Sequence, residues 1–185
     1  DLIQGAGEIK NAGNAVSFDG KFAEVSASCP YGGPSFIIDF ANETAGYFRL
    51  KLESEGLIHM KLLFAESISE CYCPPPDDSL LPRYVYEDVQ VHAGIHEWEC
   101  KRRQGFRFVK VEFMRCPSPL KVSGASTRCS YYPVSYSGYF SCSDELLNTI
   151  WKLSRRTLHT CMQEYYLDGI RRDRLLWIAD ARVEA

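Results

Sequence analysis

A chain of 185 residues with 45% hydrophobic and 13% aromatic residues holds enough apolar area for a buried core, which excludes a disordered segment. A formal net charge of −3 excludes nucleic acid as the main partner, because phosphate binding calls for a clustered basic field. No apolar run reaches the roughly 18 residues of a spanning helix, so no membrane partner is expected.

Residues 1–10 lack the basic start and apolar run of a signal peptide. The cytoplasm is the expected compartment, with secretion the alternative if a leader has been removed. From about Ala12 to Tyr132 the pattern has period two. Ser35-Phe36-Ile37-Ile38-Asp39-Phe40 reads as a buried strand. Phe48, Leu50 and Leu52 then alternate with Arg49, Lys51 and Glu53. Beyond Glu55-Gly56, Ile58, Met60, Leu62 and Phe64 alternate again, and the two runs predict an antiparallel hairpin. Residues 73–79 carry three prolines, which lack the N–H a sheet interior needs, so a loop is expected. Val89 to His92 and Ile95 to Trp98 flank Ala93-Gly94 and predict a second hairpin. Phe106 to Phe113 is a further strand with Val109, Val111 and Phe113 on one face. Several strands separated by turns imply a mainly β fold, a jelly-roll-like antiparallel β-sandwich over 1–133.

After Pro133 the spacing becomes helical. Ser143 is a candidate N-cap, with Asp144 and Glu145 in the first turn where the helix dipole favours negative charge. Leu147, Ile150, Trp151, Ser154, Leu158 and Cys161 form one stripe of an amphipathic helix. Asp168-Gly169 interrupts it, and a second helix is expected from about Arg172 to the end. No Gly, Asn or Pro follows Gly169 to stop that helix, and two helices alone bury little. Residues 134–185 are therefore expected to open a larger helical domain that continues beyond this chain.

Several residues could carry chemistry without doing so. The eight cysteines are irregularly spaced, and Cys71-Tyr-Cys73 is too tight for a zinc pair, so most are expected to be reduced thiols. His92 and His96 straddle a turn between strands and need not converge. No metal and no cofactor are expected. Cys161 and His159 face apart on a helix, which removes a thiol nucleophile. Trp98, Tyr84 and Tyr86 are candidates for a sugar platform, although packing is the usual role of such rings.

The segment Asp168-Gly169-Ile170-Arg171-Arg172-Asp173-Arg174-Leu175-Leu176-Trp177-Ile178-Ala179-Asp180 is the most unusual. If it is helical from Arg172, Asp173, Trp177 and Asp180 stand at i, i+4 and i+7 on one face. A carboxyl held against an indole loses solvation and becomes a better proton donor near neutral pH, whereas adjacent arginines oppose this. The ordinary alternative is a solvated, salt-bridged helix start.

This segment resembles the motif of the family 78 glycoside hydrolases, the bacterial α-L-rhamnosidases. The approach through Tyr132-Pro133-Val134 and Gly138-Tyr139-Phe140-Ser141-Cys142-Ser143-Asp144-Glu145-Leu146-Leu147-Asn148 is similar too. So are the strands Ser35 to Phe40, Gly46-Tyr47 and Arg107 to Val111. The resemblance implies the start of a truncated (α/α)6 barrel after the sandwich, and an inverting hydrolysis of terminal α-L-rhamnosides. It implies a rhamnose-containing glycoside or polysaccharide as partner. It assigns Asp173 as the general acid, a shorter variant of the usual Glu. It places Asp168, Arg172, Arg174, Trp177 and Asp180 in the sugar subsite. Ala179 departs from the family's usual glycine. No residue here matches the general base, so the fragment is expected to be inactive alone. The alternative is a non-catalytic carbohydrate-binding β-sandwich with a helical appendix.

Overall fold

The computed structural model describes residues 2–3, 7–27, 33–73, 85–171 and 173–184. Its strands are β1 (Leu2–Ile3), β2 (Gly7–Lys10), β3 (Ala23–Ala27), β4 (Ser35–Ser54), β5 (Ile58–Ala65), β6 (Tyr86–Val91), β7 (Gly94–Glu99) and β8 (Gln104–Cys129). The long strands β4 and β8 each break in the middle and serve both layers of a sandwich. In β4 the Asp39 carboxylate accepts the Ala41 N–H at 2.7 Å, and Ala41 takes a left-handed φ of 64°. In β8 the register slips between Cys116 and Leu120, where Pro117 and Pro119 cannot donate to a ladder. Ahead of these breaks Ser35 to Asp39 lie opposite Glu112 to Phe108. Beyond them Tyr47 to Glu53 lie opposite Arg128 to Lys121. In both halves partner numbers fall as β4 numbers rise.

One sheet therefore runs β1, early β4, early β8, β5, β6, and the other runs β2, β3, late β8, late β4, β7. This is the expected β-rich, mainly antiparallel sandwich, followed by helices. Neither predicted hairpin forms. Late β4 pairs with β7, Leu50 opposite Trp98, while β5 pairs with β6, Met60 opposite Val89. The turns at Glu55-Gly56 and Ala93-Gly94 instead carry the chain across the sandwich. Alternation marks which face is apolar, and the two arms of an arch turn apolar side chains into one core just as hairpin arms do.

That core is where the sheets meet. Phe48, Leu50 and Leu52 from one sheet face Ile58, Met60, Leu62 and Phe64 from the other, all buried in one cluster. The Phe48 ring stands edge-on to Phe64 at 6.2 Å and to Phe106 at 6.5 Å. Val109, Val111 and Phe113 are fully buried, as their spacing predicts. The predicted proline loop at 73–79 lies outside the described residues except for its first, Cys73.

A short helix, α1 (Ile68–Tyr72), follows β5, and α2 (Glu145–Cys161) follows the sandwich. The cap of α2 is Asp144 rather than Ser143. Its carboxylate accepts the N–H groups of Leu146 at 2.8 Å and Leu147 at 3.3 Å, which satisfies two orphan donors at the positive helix end. The apolar stripe of α2 is covered only at its C-terminal end, where Cys161 is buried, for Leu147 and Ile150 are about half exposed. No described helix is long and apolar enough to cross a membrane.

The second helix is shorter than predicted. It is α3 (Ile178–Glu184), and residues 173–177 are irregular. Asp173 and Arg174 have φ of 43° and 55°, values that a right-handed helix of L-residues does not hold. Asp173, Trp177 and Asp180 therefore do not share one helix face. Contacts with the sandwich override the local helical preference.

Candidate active site

The irregular segment is a loop shut at its neck. The Asp168 N–H donates to the Leu175 carbonyl at 3.0 Å, and the Leu175 N–H donates to Asp168 Oδ1 at 2.8 Å. An aspartate can close a turn this way because its short side chain bonds nearby backbone. Asp168 thus has one carboxylate oxygen committed to the loop itself. Asp173 sits inside the closed loop and is exposed.

The loop rests on the sandwich at several points. A Cβ on Gly105 of β8 would stand 2.8 Å from the Ile170 carbonyl oxygen and 3.0 Å from its carbon, so glycine is required for this approach. Arg171 is buried and donates to Glu70 of α1 at 2.5 Å, with Glu66 at 3.5 Å. Arg174 donates to the Arg103 carbonyl at 3.1 Å. Just upstream, buried Gln163 ties three segments together. Its amide N–H₂ donates to the Ser130 carbonyl at 2.6 Å and the Thr160 carbonyl at 2.8 Å, and its oxygen accepts from Arg103 at 2.8 Å. The end of β8, the end of α2 and the turn before β8 meet there.

A cleft of about 280 Å³ opens between this loop, α2 and the sandwich, lined in part by Glu43, Glu66, Arg156, Thr160, Asp168 and Gly169. Glu43 Oε1 is buried there and has no hydrogen-bond partner among the described residues. Burial pushes the Glu43 carboxyl up to about 7 from its ordinary 4.5; Glu66 and Glu70 push the same way, and Arg171 and Arg107 oppose them. Because the folded value is raised, the fold favours the protonated form. That stability is full below about pH 4.5 and is lost as pH rises through 7. Glu43→Gln is expected to flatten the fall in stability between pH 5 and 8. Discounted for partial contact with water, the gain at pH 8 is about 1 kcal/mol, or ~2–4 °C in Tm. Thermal unfolding at both pH values checks this, and an unchanged slope would remove Glu43 as its source.

Of the residues singled out by sequence, Asp168 lines the cleft and Arg174 holds the loop. Trp177 is half exposed just ahead of α3, and Asp180 lies in the first turn of α3. Arg172 lies outside the described residues. These residues share one stretch of chain, but Asp173, Trp177 and Asp180 are exposed rather than gathered in a dry pocket. Glu43, Glu66, Glu70, Arg103, Gln163 and the anchoring role of Arg171 were not anticipated. They are scattered between residues 43 and 171, and no local pattern marks them. Elsewhere, the His96 ring bonds the Ala93 carbonyl at 3.3 Å, and no metal-ligand cluster occurs among the described residues. Trp98 packs against the core, Tyr86 is exposed, and Tyr84 lies outside the described residues. Cys71, Cys73, Cys100, Cys116, Cys129 and Cys142 are free thiols. Burial pushes the Cys100 thiol up to about 12 and Cys116 up to about 11.

A β-sandwich thus passes the chain to a helix and then to a carboxylate-bearing loop that rests back on the sandwich. Residues 15–130 match the family model described as the glycosyl hydrolase family 78 alpha-rhamnosidase N-terminal domain. Residues 135–185 match the bacterial alpha-L-rhamnosidase 6 hairpin glycosidase domain. The chain belongs to glycoside hydrolase family 78. It is similar to the solved rhamnosidase from Klebsiella oxytoca with rhamnose bound, at 28% identity and a TM-score of 0.70 over 87% of this chain. It is also similar to the family 78 rhamnosidase of Bacillus sp. GL1, at 25% identity and a TM-score of 0.78 over 92% of this chain. The α-L-rhamnosidase of Dictyoglumus thermophilum, 19% identical with a TM-score of 0.57 over 86% of this chain, shares the fold. This chain spans 32%, 17% and 18% of those three chains, respectively. No curated protein matches it.

Proposed function

We propose that the chain forms the accessory sandwich, 1–133, and the opening of the catalytic helical domain, 134–185, of a glycoside hydrolase that removes terminal α-L-rhamnosyl groups with inversion. Asp173 protonates the leaving glycosidic oxygen. The free side of Asp168, with Asp180, meets sugar hydroxyls, Trp177 offers a platform, and Arg172 and Arg174 lie beside the acid. A second carboxylate from another part of the protein, about 6.5–9.5 Å from the Asp173 carboxyl, activates the water that sits between them, the spacing that inversion needs. The observation that carries the reading is the carboxylate-bearing segment 168–180, which falls inside a stretch that matches a six-hairpin glycosidase domain. The half-exposed stripe on α2 and the exposed run Leu175 to Ile178 support it, since further helices would bury these residues and dry the pocket.

A panel of aryl glycosides offered to the complete protein tests this. An α-L-rhamnoside is expected to turn over, with the first-formed sugar inverted at the anomeric carbon by NMR. The 185-residue chain alone is expected to release nothing. Preference for another sugar, retention of configuration, or turnover by the isolated chain would each contradict the proposal. A second reading, non-catalytic sugar binding, draws on a cleft of about 330 Å³ by the edge strands β6 and β7, lined by Tyr86, Asp88, Trp98 and Lys101 among others. Rhamnose binding by the isolated chain with no hydrolysis by the complete protein would favour it.

A further inference from the structure

Arg171 is 8% exposed although it belongs to an irregular loop with exposed residues downstream of it. A guanidinium is left that dry only where carboxylates replace its water. Here they come from the sandwich side. Glu66 follows β5 and Glu70 lies in α1, at 3.5 Å and 2.5 Å from Arg171 Nη1. The preceding residue, Ile170, has its backbone against Gly105 of β8. Two consecutive loop residues are therefore fixed to two separate parts of the sandwich. Asp168 stands three residues before Arg171 and Asp173 two after it, within a loop shut by the Asp168–Leu175 pair. A shift of Arg171 moves both carboxylates.

We infer that Arg171, held by Glu70 and Glu66, is a positioning residue through which the sandwich sets the place of the acid loop. The inference rests on the acid role proposed for Asp173. Arginine suits the task because its planar fork can serve two carboxylates, whereas lysine offers a point charge.

The test uses the complete protein with Arg171→Met, Arg171→Lys, Glu70→Gln and the Arg171→Met/Glu70→Gln double variant, with Asp173→Asn as reference. Steady-state kinetics on an alkyl rhamnoside, whose leaving group needs the acid, are read beside hydrogen exchange at the Leu175 amide. Arg171→Met is expected to lower kcat about 10–100-fold, the scale of a small misplacement, with KM little changed. Arg171→Lys recovers part of the loss. The double variant loses no more than the worse single one, because both break one contact. Leu175 exchanges faster. If Arg171→Met does not fold, Glu70→Gln carries the test, since Arg171 keeps Glu66. Normal kcat in Arg171→Met or Glu70→Gln, while Asp173→Asn is inactive, overturns the inference and leaves the acid role standing. So does a loss of thermal stability with kcat per folded molecule unchanged. If Asp173→Asn keeps its rate, the acid role falls. Leu175 exchange then decides the anchor alone, faster exchange in Arg171→Met upholding it and unchanged exchange ending it.

Discussion

In the complete protein, Asp173→Asn is expected to lower kcat on an alkyl rhamnoside by about 10²–10⁴-fold, the range of a lost general acid. The amide keeps the shape of the carboxyl and removes its proton. An activated leaving group such as nitrophenolate departs with little protonation, so the loss on a nitrophenyl rhamnoside should be much smaller. This dependence on the leaving group separates proton donation from a sugar-contact role, which would weaken both substrates alike. Asp173 is exposed, so Tm should hold. Equal losses on the two substrates, or none, would remove Asp173 as the donor.

The second large effect is on stability. Phe48 is fully buried and meets the rings of Phe40, Phe64, Trp98 and Phe106. It stands where late β4 of one sheet touches β5 and early β8 of the other. Phe48→Ala removes the buried ring and leaves a cavity between two sheets that cannot close together, because both are held by their ladders. The expected cost is about 3–5 kcal/mol, or ~6–20 °C in Tm, measured by urea and thermal unfolding of the 185-residue chain. Its neighbour Tyr47 is half-buried and carries the Arg128 guanidinium over its ring at 4.2 Å. Tyr47→Ala should cost far less, since a cation over a partly exposed ring contributes about 0.5–1 kcal/mol. Equal losses at the two positions would mean that the sandwich core is not where the ladders place it.

What the amino-acid sequence determined by itself is local. Period-two runs specified the strands and their buried faces, because neighbouring side chains on a strand point to opposite sides whatever the strand pairs with. Helical spacing specified α2, and the carboxylate-rich motif 168–180 marked the stretch of greatest chemical interest. Tertiary structure decided how those pieces meet. Arches replaced the two hairpins because Phe48 and Ile58, or Val89 and Trp98, turn inward equally well from either side of one core. The motif became a loop instead of a helix because partners distant in sequence act on it. Gly105 lets the Ile170 backbone approach, and Glu66 and Glu70 neutralise Arg171 where water is excluded. A sequence pattern records the periodicity of one segment, whereas contacts across more than sixty residues have no period to read.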